Sequence, residues 1–178
     1  RERLGFGQVV EGSLLQTASH MKGYAINCQL WLGRTLGRYS QTEPRNPLMN
    51  YYRCAGDKWI WIGETQTDRC WSEFCAAVGL EGIEKDAKFA DSIRRDENAK
   101  ELVSLLSKTF ATRPREEWLK RFESCDFSFA PIHDYSEIVK EAQLIENECI
   151  VDYDHPALGK TKTVGYPVQC SKTPLQIQ

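Results

Sequence analysis

Asn50-Tyr51-Tyr52-Arg53-Cys54-Ala55-Gly56-Asp57-Lys58-Trp59-Ile60-Trp61-Ile62-Gly63 is the stretch from which the fold of this chain is read. Both of its ends are crowded with aromatic and β-branched residues, which suit a pleated, half-buried surface. Ala55-Gly56-Asp57 between them is turn chemistry. Asn50 to Cys54 and Lys58 to Gly63 are therefore expected to pair as a β-hairpin. The Trp/Ile run reads as a packed strand and not as a base-stacking platform, which would need a basic surround.

Downstream, Cys70, Trp71, Phe74, Cys75 and Val78 recur at the spacing of one helical face, so Thr67 to Val78 is expected to be an amphipathic helix stopped by Gly79. A second helix is expected from Asp96, with Leu102, Leu105, Leu106 and Phe110 on one stripe. A third should start with Thr112 or Arg113 near its cap and Pro114 in its first turn. Phe129-Ala130-Pro131-Ile132 reads as extended and Asp134 to Ile145 as one or two short helices. Glu148 to Tyr153 reads as a strand, Asp154 to Gly159 as a turn, and Thr161 to Val164 and Tyr166 to Cys170 as short terminal strands.

Upstream, Gln8-Val9-Val10-Glu11-Gly12 is β-prone and leads into Ser13, a cap for a mostly buried helix from Leu14 to about Leu32. Arg1 to Gln8 reads as the charged end of a helix and the entry to that strand, so the chain is expected to begin within a fold. Gly33 to Pro47, with Gly33, Gly37, Pro44 and Pro47 among polar residues, is the best linker and is taken as a boundary.

The chain has 178 residues, 41% hydrophobic and 27% charged, which is the composition of a folded globular protein and not of a disordered one. Lys plus Arg number 23 against 25 Asp plus Glu, with the signs mixed along the sequence, so no basic stripe for nucleic acid is present. No apolar run reaches the roughly 18 residues of a membrane helix. The expected partners therefore include neither nucleic acid nor membrane. Seven cysteines form no C-x-x-C pair and no zinc spacing, so no metal is expected, and a reducing cytoplasmic home is the simplest.

Catalytic patterns are scarce. There is no G-x-S-x-G, no phosphate-binding loop and no complete dinucleotide fingerprint, because Gly5-Phe6-Gly7 lacks the third glycine and precedes its strand. His20 reads as a core or interface residue, His155 as a brace for the turn before Pro156, and His133 has no stronger claim. Asp126, Asp152 and Asp154 read as solvated carboxylates. Read from its residues alone, the chain is an α/β protein.

A series of segments resembles, in order, the family III CoA-transferases, a group that includes formyl-CoA, carnitine and bile-acid CoA-transferases and α-methylacyl-CoA racemase. The segments are Gly7-Gln8-Val9-Val10-Glu11-Gly12-Ser13-Leu14-Leu15, Asn46 to Cys54, Gly56-Asp57-Lys58-Trp59-Ile60, Trp71 to Cys75, Phe110-Ala111 with Glu117-Trp118, Phe129 to Ile132, Val151 to Gly159, Gly165 to Val168 and Ser171 to Pro174. Each is weak alone; their collinearity is specific. The resemblance covers the C-terminal half of such an enzyme. It implies an α/β fold in which residues 1–33 are the end of a large nucleotide-fold domain, 34–49 a linker, and 50–178 a small α/β domain with short antiparallel strands and several helices.

The resemblance further implies a nucleophilic Asp upstream of Arg1, so no catalytic residue is expected here. The substrates would be a coenzyme A thioester and a carboxylic acid, with no permanently bound cofactor, in an interlocked homodimer. Where some family members have a glycine-rich loop over the thioester, Gln41 to Met49 has no glycine run. Asn46, Met49 and Tyr51 are then candidates for a wall of the acyl pocket, or for packing a domain joint. Racemase-type members use a carboxylate near the start of the helix after the hairpin. Here the matching position is Gln66, or Glu64 with a shift of two residues, and an amide there favours transfer over racemisation. Three readings stay open: an acyl-CoA:carboxylate CoA-transferase, a 2-methylacyl-CoA isomerase, and a catalytically silent interaction module.

Overall fold

The computed structural model describes Gly5, residues 13–35 and residues 40–166. The strand expected at Gln8–Gly12, the helix end before it and the terminal strand beyond Tyr166 lie outside the described residues. The chain divides into two units, Arg1–Ser40 and Gln41–Gln178.

In the first unit, Ser13 caps helix α1 (Leu14–Met21) by accepting the Gln16 N–H at 3.1 Å. The single helix expected to run to Leu32 is instead interrupted. Lys22, at φ −96° and ψ 10°, leaves the helical region, and α2 (Gly23–Leu32) follows. The expected burial is also corrected, since neither helix has a buried residue and Leu14 is 91% exposed. An apolar helix is covered only by a second layer, and the described residues of this unit supply none beyond these two helices.

The second unit is built on a sheet of β1 (Met49–Arg53), β2 (Trp59–Gly63) and β3 (Phe129–Ile132), antiparallel in that order. The hairpin closes where the Cys54 N–H donates to the Lys58 carbonyl at 2.8 Å, and Gly56 and Asp57 take the left-handed turn. Strand alternation sends Asn50, Tyr52, Ile60 and Ile62 inward. They join a core with helices α3 (Thr67–Val78), α5 (Ala99–Phe110) and α6 (Arg115–Phe122), while α4 (Ser92–Glu97) adds only the buried Arg95. Aromatic contacts organise it. Tyr52 stacks on Phe110 at 4.8 Å, Trp118 meets Phe110 edge-on at 5.2 Å, and the Trp118 indole N–H donates to the Phe110 carbonyl at 3.0 Å.

Two helix starts differ from expectation. The helix expected from Asp96 becomes two, because Asp91 caps α4 through the Arg94 N–H and Asn98 interrupts before α5. The third begins at Arg115 with Pro114 as its cap, a position where proline's missing N–H costs no helical bond. The remaining helices are α7 (Tyr135–Ile138) and α8 (Ala142–Glu146). They precede a hairpin of β4 (Ile150–His155) and β5 (Gly159–Val164), so the turn is confined to Pro156–Leu158. The architecture is α/β, with several helices and short antiparallel strands. No helix of the described residues is long and apolar enough to cross a membrane.

Candidate functional site

Helices cover one face of the three-stranded sheet, and among the described residues no element covers the other. Period-two alternation places Met49 and Tyr51 of β1, Trp61 of β2 and Ile132 of β3 outward, between 36% and 44% exposed. Tyr51 lies opposite Trp61, and Met49 lies opposite Gly63. Trp61 does not stand off the strand; its six-membered ring lies over Gly63, where a Cβ would fall 1.7 Å from Cη2. Tyr51 also leans on Trp59, with ring centroids 5.7 Å apart. The result is an aromatic platform, with the side chain of Arg53 on the same face of β1.

One end of the platform has a polar border. The Asn46 side chain donates to the Glu64 carbonyl at 2.8 Å and accepts the Leu48 N–H at 2.8 Å, while the Glu64 N–H donates to the Leu48 carbonyl at 2.8 Å. Asn46 thus ties the segment before β1 to the exit of β2. The Glu64 carboxylate is buried and accepts the Gln66 N–H at 2.7 Å, with Arg69 3.7 Å away. Gln66 caps α3 without a side-chain hydrogen bond and is exposed.

The structure therefore brings Asn46 and Glu64 into direct contact, sets Met49 and Tyr51 on one face, and leaves Gln66 at the helix entrance. Of the two candidates for the position after the hairpin, Glu64 is held by α3's own backbone, whereas the Gln66 amide faces solvent. Sequence reasoning missed Trp61 and Gly63 as members of this surface. Alternation through Trp59-Ile60-Trp61-Ile62-Gly63 puts both on the Tyr51 face once the hairpin register is known, but the ring lying down over a glycine has no sequence signal.

The other titratable groups brace the fold. Arg115, almost fully buried, donates to the Ile132 carbonyl at 2.9 Å and to both Glu137 oxygens, at 2.6 and 3.2 Å. Asp134 and Glu137 form a capping box on α7. Hydrogen bonds from Lys58 and Ser136 hold the Asp134 carboxyl far below the usual carboxylate range. His133 lies between Glu137 and Glu141, at 3.8 and 3.5 Å. His155 accepts the Ala157 and Leu158 N–H groups at 3.0 and 3.1 Å, the turn-bracing role expected of it. His20 is exposed on α1, not packed in a core. Burial pushes the thiols of Cys54 and Cys70 up to about 11 and that of Cys75 up to about 12, which keeps them protonated and unreactive at neutral pH. Among the described residues, no three His, Cys, Asp or Glu side chains gather as a metal site would require.

The fold resembles that of a solved CAIB/BAIF family protein from Brucella suis. That structure matches with a TM-score of 0.77 at 18% identity, covering 99% of this chain and 45% of the other, a likeness of fold. The model of CoA-transferase family III matches residues 1–178, and the chain belongs to that family. Among curated relatives it is 33% identical over 98 residues to a mouse succinyl-CoA:glutarate CoA-transferase, covering 55% of this chain and 22% of the relative. It is 24% identical over 168 residues to a Clostridioides difficile (R)-2-hydroxy-4-methylpentanoate CoA-transferase, covering 94% of this chain and 42% of the relative. The chain thus spans less than half the length of these relatives.

Proposed function

We propose that the protein carrying this chain moves CoA between an acyl-CoA thioester and a free carboxylic acid. The observation that carries this reading is the family match along all of residues 1–178. The relatives named for succinyl-CoA with glutarate and for a 2-hydroxy acid support the same reaction class. In this reading an aspartate outside these 178 residues attacks the thioester carbon and the C–S bond breaks, leaving a mixed anhydride and CoA thiolate. The thiolate then displaces the first acid, and the incoming acid reverses both steps, so one difficult exchange becomes a sequence of acyl transfers. Residues 1–33 are read as the end of a large domain and 50–178 as a small domain. Asn46, Met49, Tyr51 and Gln66 border the acyl group, and two full-length chains interlock as a dimer.

Transfer is favoured over isomerisation because the position aligned with the racemase carboxylate holds the Gln66 amide, which cannot take a proton from carbon, while the first-turn carboxylate of Asp68 is paired with Arg95. The test incubates the natural protein with an acyl-CoA and an isotopically labelled free acid and follows the thioester by mass spectrometry. Label entering the thioester is the expected result. Solvent deuterium entering the α-carbon instead would point to an isomerase, and neither change, without CoA binding, to a silent interaction module.

A further inference from the structure

A helix usually starts at a residue whose own side chain hydrogen bonds into the first turn. At α3 that position is Gln66, which is exposed and whose side chain makes no capping bond. Its backbone is fixed from two residues upstream instead. The Glu64 carboxylate, only 6% exposed, accepts the Gln66 N–H at 2.7 Å, and the Arg69 N–H donates to the Gln66 carbonyl at 3.1 Å. Burying a carboxylate is costly unless its oxygens are engaged. The other oxygen of Glu64 faces Arg69 at 3.7 Å, a guanidinium that also donates to the Asp126 carbonyl at 2.9 Å and to its carboxylate. The backbone of Glu64 is held as well, its N–H on the Leu48 carbonyl and its carbonyl on the Asn46 amide, both at 2.8 Å. A carboxylate so enclosed and so engaged is not placed to touch a substrate. What it controls is the backbone of Gln66, and through that the direction of an amide released from capping.

From this geometry we infer that Glu64 is a positioning residue for CoA transfer, acting through Gln66. It takes over the capping of the α3 entrance, so that the Gln66 amide is held in place by its backbone and is free to meet the acyl group. The inference rests on the CoA-transfer reading, in which Gln66 borders that group, and adds the residue that sets Gln66.

The test is a double-mutant cycle in the natural protein. Succinyl-CoA is the donor, labelled glutarate and labelled 2-hydroxy-4-methylpentanoate are offered as acceptors, and kcat/KM is measured with the better of the two. Glu64→Ala and Gln66→Ala should each lose about 10- to 100-fold, the scale of a misplaced contact at a reacting group. The double variant should be no more than about twofold worse than Gln66→Ala alone, because once the amide is gone its positioning no longer matters. A purely structural role would lower both backgrounds by the same factor. Glu64→Gln, whose amide oxygen still accepts the Gln66 N–H, should stay within about threefold of wild type. If Glu64→Ala does not fold, Glu64→Asp, which keeps the charge and shortens the reach by one carbon, takes its place in the cycle. Losses that multiply in the double variant, or an unchanged kcat/KM in the variant used at Glu64, overturn the inference while leaving CoA transfer standing. Wild-type exchange with neither acid overturns the CoA-transfer reading and the inference with it.

Discussion

Asn46 uses both ends of one amide on two backbone segments, the entry to β1 and the exit of β2. Replacing it by Ala leaves a half-buried carbonyl and a half-buried N–H without their partner, so Asn46→Ala should cost about 1–3 kcal/mol. Urea unfolding of the two proteins measures this, and a loss under a few tenths would mean that water satisfies both groups. Asn46→Asp keeps the acceptor for the Leu48 N–H and loses the donor to Glu64, so it should fall between the two. At this scale the sequence was informative about type and blind to partner. Asn46, Met49 and Tyr51 were legible as one stretch, and alternation alone puts Met49 and Tyr51 on one face. That Asn46 would bind the carbonyl of Glu64, eighteen residues on, depends on the hairpin bringing the two together. That Trp61 would lie over Gly63 depends on a rotamer, which local pattern does not encode.

Elements were legible where a stripe and a stop signal agree. The α3 helix shows Cys70, Trp71, Phe74, Cys75 and Val78 on its buried face and ends at Gly79, whose φ of 77° is the left-handed cap. Gly79→Ala forces a side chain into that conformation and should cost about 1 kcal/mol, read as a lower urea midpoint with an unchanged slope. The breaks at Lys22 and Asn98 were not legible, because neither residue forbids a helix and each interruption is a backbone excursion inside an otherwise periodic run. The α7 turn is too short for periodicity and is defined by polar contacts instead. Hydrogen bonding to Arg115, joined by the Asp134 N–H and Lys58, outweighs burial and lowers the Glu137 carboxyl from its ordinary 4.5 to about 2. A lowered folded-state value means that the stabilisation is complete above the unfolded value and is lost as pH falls from about 4.5 towards 2. The stability difference between wild type and Glu137→Gln should therefore be largest near neutral pH and shrink through that window. A difference that stays constant across unfolding curves at pH 7, 4, 3 and 2 would show that the ionised carboxylate is not what Arg115 holds.

At the scale of the whole molecule the two units contrast in how they use apolar residues. The second closes a core around Tyr52, Phe74, Phe110 and Phe122, each with no exposed surface. The first exposes Leu14, Leu15, Met21, Tyr24, Leu30 and Trp31, all above 70%. The α2 segment Gly23–Leu32 contains no charged residue, and a helix without a polar face is the kind found enclosed by protein. An exposed surface of this sort binds whatever apolar surface is within reach. A polypeptide of these 178 residues, made by itself, is therefore expected to associate as its concentration rises and to brighten a hydrophobic dye. Light scattering behind size exclusion over a hundredfold concentration range reads the first effect, and dye fluorescence the second. Because the association is assigned to the first unit, the paired substitutions Leu30→Gln and Trp31→Gln should lower both signals, while leaving the near-ultraviolet circular dichroism of the Trp118 and Phe110 core unchanged. A concentration-independent monomer that leaves the dye dark would mean that these helices repack against chain of their own. Association that survives the paired substitutions would shift the sticky surface to the platform of Met49, Tyr51 and Trp61, whose 36–44% exposure makes it the next apolar face available.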